Sequence, residues 1–281
     1  MAENIAFDDL PLRKDSPRGN AWGLFGDNDE CGMLNLLTPE RINAASREIK
    51  DGVRIPTDLP LNFMSKPCFG RAAFHQNIKN KPLDHSQWDG FRHYGYQEAK
   101  QYFNGYSLED LLSTEVNGIH GNGGIVGRGA LLDYATCRIN HFSTHAIPVN
   151  ILQEIAAYQG TELKRGDILF IRSGWIRAFS QLSEDQAVAL AEIASPPAVG
   201  IESSEKTLRW LWDTGFAAVA GDMPSMEAWP SGWGMPIGEL FDLERLSAEC
   251  EKRGRWSFFF SSMSLRVPGG VASPPNGVVI M

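Results

Sequence analysis

Over residues 148–265 the chain switches repeatedly between two hydrophobic periods. PVNILQEIAAYQG (148–160), SSEKTLRWLWDTG (203–215) and DLERLSAECEKRG (242–254) each carry apolar residues at helical spacing and close on a glycine. Ser203 and Asp242 stand where the N-caps of the last two would be. Between and after these helices lie GDILFIRSGWI (166–176), FAAVAGDM (216–223) and WSFFFSSMSL (256–265). Apolar runs too short for a helix and bounded by turn residues read as strands, the first two of them buried. Helices alternating with such strands predict an α/β fold, with a mixed β-sheet packed against helices.

The first half is less regular. A helix is expected over 35–52, with Thr38 as cap, Pro39 in its first turn, Glu40 beside the N-terminal dipole and Gly52 at its end. VRIPTDLPLN, broken by prolines, suits an edge strand. Residues 64–96 show little periodicity and read as long loops with short strands. YSLEDLLST (106–114) is a short helix capped by Ser107, with Asp110 three positions on. The glycines of GNGGIVGRGALLDYA match neither a dinucleotide nor a phosphate-loop spacing, so they read as a loop feeding the strand GALLDYA. Residues 1–20 form a polar, proline-containing surface arm. No repeat or linker divides the remainder, so 21–281 is expected to be a single domain.

Hydrophobic residues make up 43 % of the 281, enough for a substantial core, and the formal net charge is −8. With no run of Lys and Arg, nucleic acid and anionic membranes are not expected partners. No apolar stretch is long enough to span a bilayer, and the N-terminus lacks a secretory h-region. The four cysteines (Cys31, Cys68, Cys137 and Cys250) are far apart, which fits free thiols and a cytoplasmic protein better than a disulfide framework or a zinc ribbon.

Chemistry concentrates in HSQWDGFRH, residues 85–93, which places a carboxylate (Asp89) four residues before an imidazole (His93), with the amide of Gln87 alongside. Asp and His at that spacing can trade a proton with a substrate near neutral pH. Asp222, Ser225 and Glu227 follow a buried strand in AGDMPSMEAWP, Glu239 lies in GMPIGEL, and His120 sits among glycines. Each also has a plain structural role: Asp89 before Gly90 as a turn residue, Asp222 as a cap before Pro224, Glu239 beside a helix start, and Trp88, Tyr94 and Tyr96 as core or interface aromatics.

WGLFGDNDECGMLNLLTPERI, QWDGFRHYGYQ, GGIVGRGALLDYA, RGDILFIRSGW, AVAGDMPSMEAWP, GWGMPIGELFDLERL and VPGGVASPPN resemble the cyclase family, that of bacterial kynurenine formamidases and isatin hydrolases, and its fungal-type branch in particular. The resemblance covers nearly the whole chain. It implies a swivelling α/β domain assembled as a homodimer or homotetramer. Metal-dependent members carry His-x-Gly-Thr-His-x-Asp-x-Pro-x-His, in which two histidines and the Asp bind zinc or manganese and the last His is an acid or base. On that pattern Asp89 and His93 match, while Leu83 and Gln87 replace the two leading histidines. Glu239 matches a later metal-binding Glu whose partner His is absent from EAWPSGWGMPIGE.

The resemblance therefore implies a small-molecule cyclase, isomerase or dehydratase of secondary metabolism that uses acid–base catalysis and no cofactor. His93 is the acid or base and Asp89 its orienter, with Gln87, Trp88, Tyr94, Tyr96, His120, Asp222, Ser225 and Glu227 around the substrate. One alternative is a zinc- or manganese-dependent amidohydrolase or lactonase using Asp89, His93 and Glu239. Another is a small-molecule binding protein without turnover.

Overall fold

The protein is described by a computed structural model covering residues 5–17, 19–59, 63–64, 87–121, 123–135, 140–193, 197, 199–226 and 234–281. Its strands are β1 (Arg54–Pro56), β2 (Gln87–Asp89), β3 (Ile125–Asp133), β4 (His145–Ile147), β5 (Ile168–Arg172), β6 (Val199–Ile201), β7 (Ala218–Gly221), β8 (Ile237–Glu239), β9 (Ser257–Ser262), β10 (Ala272–Ser273) and β11 (Gly277–Ile280). Its α-helices are α1 (Pro39–Ala45), α2 (Leu108–Ser113), α3 (Val149–Tyr158), α4 (Trp175–Phe179), α5 (Glu184–Glu192), α6 (Glu205–Thr214) and α7 (Glu244–Arg253).

The expected mixed sheet is present. Among the described residues it has nine strands in the order β1-β11-β9-β3-β5-β7-β8-β2-β10. Its centre, β3-β5-β7-β8, is parallel. Antiparallel strands complete both sides: β9, β11 and β1 on one, β2 and β10 on the other. A separate parallel pair joins β4 to β6. Both faces of the main sheet are covered. On one, Leu132, Leu169, Ile171 and Val219 meet Leu152 of α3, Trp175 of α4 and Leu211 of α6. On the other, Leu131, Phe170, Ala220 and Trp88 meet Phe258, Phe260 and the Leu246 and Cys250 face of α7.

Several sequence expectations need correction. The helix expected over 35–52 is three pieces: a 3-10 turn (Gly32–Leu36), α1 and a second 3-10 turn (Ser46–Glu48). Thr38 does cap α1, accepting from the Arg41 N–H. Ser204, not Ser203, caps α6. Asp242 accepts from the Glu244 N–H at 3.2 Å although Leu243 is the residue bordering α7. The strand expected over 166–176 ends at Arg172, because Gly174 turns left-handed at φ +86° and starts α4.

Gly127, read as part of the loop before the strand GALLDYA, lies in β3, whose register sets Gly129 opposite Phe258. A Cβ on Gly129 would lie 2.2 Å from that ring, so the strand needs glycine to let the aromatic lie against its backbone. Within residues 1–20, read as a surface arm, Ile5, Phe7 and Asp8 contact α6. The Ile5 carbonyl accepts from Trp212 Nε1 at 2.8 Å, and the Arg209 guanidinium sits 4.7 Å over the Phe7 ring and bonds Asp8.

Among the described residues no helix is long and apolar enough to cross a membrane. Cys31 and Cys250 are free thiols, and burial pushes the Cys250 thiol up to about 12, where it is inert at neutral pH.

Candidate active site

The site is built by one pairing. β2 runs antiparallel to β8 with Gln87 opposite Glu239, at the C-terminal end of the parallel strands, where α/β sheets commonly hold ligands. Side chains alternate along a strand, so Gln87 and Asp89 share a face with Glu239, while Trp88 between them points the other way. Asp89 and Glu239 are each only 9 % exposed. Leu240, immediately after Glu239, takes a left-handed φ of +56°, unusual for a bulky residue. Its N–H donates to the Met223 carbonyl at 3.1 Å and its side chain joins the core, which fixes the backbone that presents Glu239.

The Gln87 amide lies between the two carboxylates. Nε2 donates to Asp89 Oδ1 at 3.1 Å and is 3.5 Å from Glu239 Oε2. Ionised carboxylates only accept, so the NH2 end of the amide is the end that faces them. On the other side of Asp89, His93 Nε2 lies 3.7 Å from Oδ2. A turn closed by the His93 N–H to the Gly90 carbonyl at 3.0 Å brings the ring back over the strand it has left. The His93 side chain is 47 % exposed, so its ring is accessible from solvent while its carboxylate partner is buried.

Among the described residues, this donor set falls short of what a resident metal needs. A catalytic zinc site needs about three protein ligands. Between the two carboxylates the chain offers amide hydrogens rather than a lone pair, and among the described residues no cluster of three or more His, Cys, Asp or Glu forms a metal site.

The remaining candidates separate. Trp88 is fully buried on the opposite face, against Phe241 and Phe260, with Nε1 donating to Ser262 Oγ at 3.0 Å. It is a core residue and not a pocket wall, as the alternation along β2 requires. Asp222 is also displaced from the site reading, because it is wholly buried as an internal cap. It accepts from the Ser173 N–H and Oγ at 2.6 and 2.7 Å and from the Gly174 N–H at 2.8 Å. Burial nevertheless lifts its carboxyl to about 6, against those bonds and the charge of Arg172.

Tyr94 is 55 % exposed. Tyr96 packs edge-on to Trp22 at 5.6 Å, and burial holds its phenol well above the usual range. His120 lies on a 3-10 turn beside the site, its Nε2 3.6 Å from Glu115. Ser225 is half-buried after β7. Leu83, His85 and Glu227 lie outside the described residues. Asn117 and Glu30, which the sequence did not single out, line a cleft with Gly90 and Phe91.

No curated protein matches the chain. Solved structures do. A crystal structure of a novel cyclase superposes with a TM-score of 0.80 at 26 % identity, over 93 % of this chain and 99 % of that one. An isatin hydrolase bound to the product analogue thioisatinate gives 0.52 at 11 % identity, over 88 % and 98 %. Isatin hydrolase A from Ralstonia solanacearum gives 0.54 at 14 %, over 84 % and 94 %. The last two likenesses concern the fold alone. A family model described as "Putative cyclase" matches residues 57–228, more than half of the chain and the span that carries Gln87, Asp89 and His93, so this protein belongs to the cyclase family.

Proposed function

We propose that this cyclase/hydrolase-type enzyme closes, opens or rearranges a small-molecule ring, or expels water from it, by general acid–base catalysis, with no metal between Asp89 and Glu239. The observation that carries this reading is the Gln87 amide bonded between those carboxylates. Asp89 orients the imidazole through its 3.7 Å pair with His93 and stabilises the imidazolium when it forms. In a ring closure, His93 takes the proton of the attacking N–H or O–H and returns it to the departing heteroatom, so the group ends the cycle as it began. In the reverse direction the same proton moves the other way. Holding the reacting atoms together supplies much of the rate in an intramolecular reaction.

A second reading has one observation behind it: two buried carboxylates converge on a single point, as they would around zinc or manganese, which would make the protein an amidohydrolase or lactonase. Elemental mass spectrometry of protein purified without chelator separates the two. The acid–base reading expects no stoichiometric metal even after soaking in zinc and manganese, and about one ion per chain would give precedence to the hydrolase. On a substrate found by screening ring-forming precursors, His93→Ala should lower kcat by about a hundredfold or more. Unchanged turnover would remove His93 from the mechanism. Ligand binding without turnover of any precursor would favour a binding protein. The small-molecule partner, the homo-oligomer and the cytoplasmic location belong to the same proposal.

A further inference from the structure

The acid–base site lies at the C-terminal end of the parallel strands. The opposite end carries a pair of arginines that this site does not use. Gly166 leads into β5 and Gly215 into β7, and the Gly166 N–H donates to the Gly215 carbonyl at 2.8 Å. Both glycines are left-handed, at φ +85° and +72°. Each has an arginine lying beside the place its Cβ would take. A Cβ on Gly166 would lie 2.8 Å from Arg41 Cδ and 3.2 Å from Arg41 Nε, and one on Gly215 would lie 2.5 Å from Arg165 Nη1. The two side chains therefore flank one junction, Arg41 reaching it from α1 and Arg165 from the turn before β5.

Neither cation meets an acid. Arg41 Nη1 donates to the Leu36 carbonyl at 2.8 Å, and among the described residues Arg41 has no ion pair. The Arg165 guanidinium has neither a hydrogen bond nor an ion pair among them. The acids nearest to it in the chain are engaged elsewhere. Asp167 accepts from Arg128 Nη1 at 2.5 Å and from the Lys164 N–H at 2.7 Å, and Glu162 pairs with Lys164 at 3.3 Å. Partial burial, and then the charge of Arg41, hold the Arg165 guanidinium below its ordinary pKa.

Like charges held together cost free energy unless an anion lies between them. A guanidinium is a planar fork of five N–H donors that matches the oxygens of phosphate. One tetrahedral oxyanion has acceptors enough for two such forks, whereas a single carboxylate is satisfied by one. We infer that Arg41 and Arg165 form a binding site for a phosphate-type oxyanion at the N-terminal end of the parallel strands. Inorganic phosphate and the phosphate of a small monoester share these contacts. The site is at the far end of the strands from Asp89 and His93, so its ligand is not the reacting molecule, and it stands or falls independently of the acid–base reading.

The test compares the melting temperature of the full chain in phosphate and in chloride, at one pH and ionic strength, with calorimetric titration by inorganic phosphate and by glycerol 3-phosphate. Phosphate should raise the melting temperature saturably, as a ligand of the folded state does by mass action. Arg165→Gln removes the fork and the repulsion together. In chloride this variant should be at least as stable as the parent, in phosphate the parent should be the more stable, and the variant's phosphate affinity should be lower by about tenfold or more. Arg47→Gln, at an exposed arginine on the 3-10 turn after α1, should leave that affinity unchanged. No saturable phosphate binding, or binding that survives Arg165→Gln, would overturn the inference. So would a variant equally destabilised in both salts, which would make Arg165 a packing residue. Loss of an oligomer in Arg165→Gln without phosphate binding by the parent would also overturn it and give the pair to a carboxylate of another molecule. Tighter binding of glycerol 3-phosphate would identify a monoester as the ligand, and the reverse order the free ion.

Discussion

The acid–base proposal turns on Gln87. Its amide hydrogens satisfy Asp89 and Glu239 without bringing a positive charge, so the carboxylates keep their electrostatic demand while their geometry is fixed. Gln87→His would replace those hydrogens with an imidazole lone pair and complete three potential ligands with Asp89 and Glu239. The variant should bind zinc or manganese about tenfold or more tightly than the parent, measured by titration of chelator-stripped protein. Unchanged metal affinity would mean that the amide does not stand where a cation would. At this scale the sequence was informative where chemistry depends on short spacing: Asp89 and His93 were legible as a pair, whereas Gln87 in place of a histidine was implied only by the resemblance to the cyclase family. It misled for Trp88, whose direction depends on a three-residue strand that periodicity cannot register. It was silent on Arg41 and Arg165, because their nearness is a product of tertiary contacts.

Elements were legible in proportion to how local their signals are. The capping box of Ser107 and Asp110 at α2 was read correctly from four residues. An equally local one at α5, Ser183 with Gln186, went unread. The end of β5 was not legible, because SGW continues an apolar run and only the left-handed Gly174 separates strand from helix. The start of β3 was misread because glycine in a strand looks like a loop until its partner is known. That partner makes a test. Phe258 is fully buried and packs at 5.5 Å against Phe170, so its ring has little room to retreat from a Cβ at position 129. Gly129→Ala should destabilise the fold by about 1–3 kcal/mol in chemical denaturation, and Phe258→Leu in the same chain should recover part of that loss through the shared contact. A neutral Gly129→Ala would mean that the ring does not lie against the strand as described.

For the molecule as a whole, helices on both faces of the sheet follow from the alternation visible in the sequence, but the polar interior at the strand ends does not. Arg172 at the end of β5 bonds Asp133 at 2.9 Å and Glu244 at 2.6 Å, tying β3 and β5 to α7. One layer away, Asp222 ties the end of β7 to the start of α4. These links join elements far apart in sequence, and one of them makes stability depend on pH. The Asp222 carboxyl is at about 6 when folded, raised from the ordinary 3.8. Between those values the folded chain holds a proton that the unfolded chain has released, so this contribution is complete below about pH 4 and is lost as pH rises through about 6. Two pKa units correspond to about 2–3 kcal/mol. Asp222→Asn removes the titration and sets an NH2 against one of the N–H donors, so it is destabilising at every pH, but its penalty should shrink by about 2 kcal/mol between pH 4 and pH 7. Denaturant unfolding of both proteins at those two pH values measures the change, with the other carboxylates cancelling in the difference. A penalty that stays constant, or grows with pH, would mean that Asp222 is ionised throughout and that its three hydrogen bonds outweigh its burial.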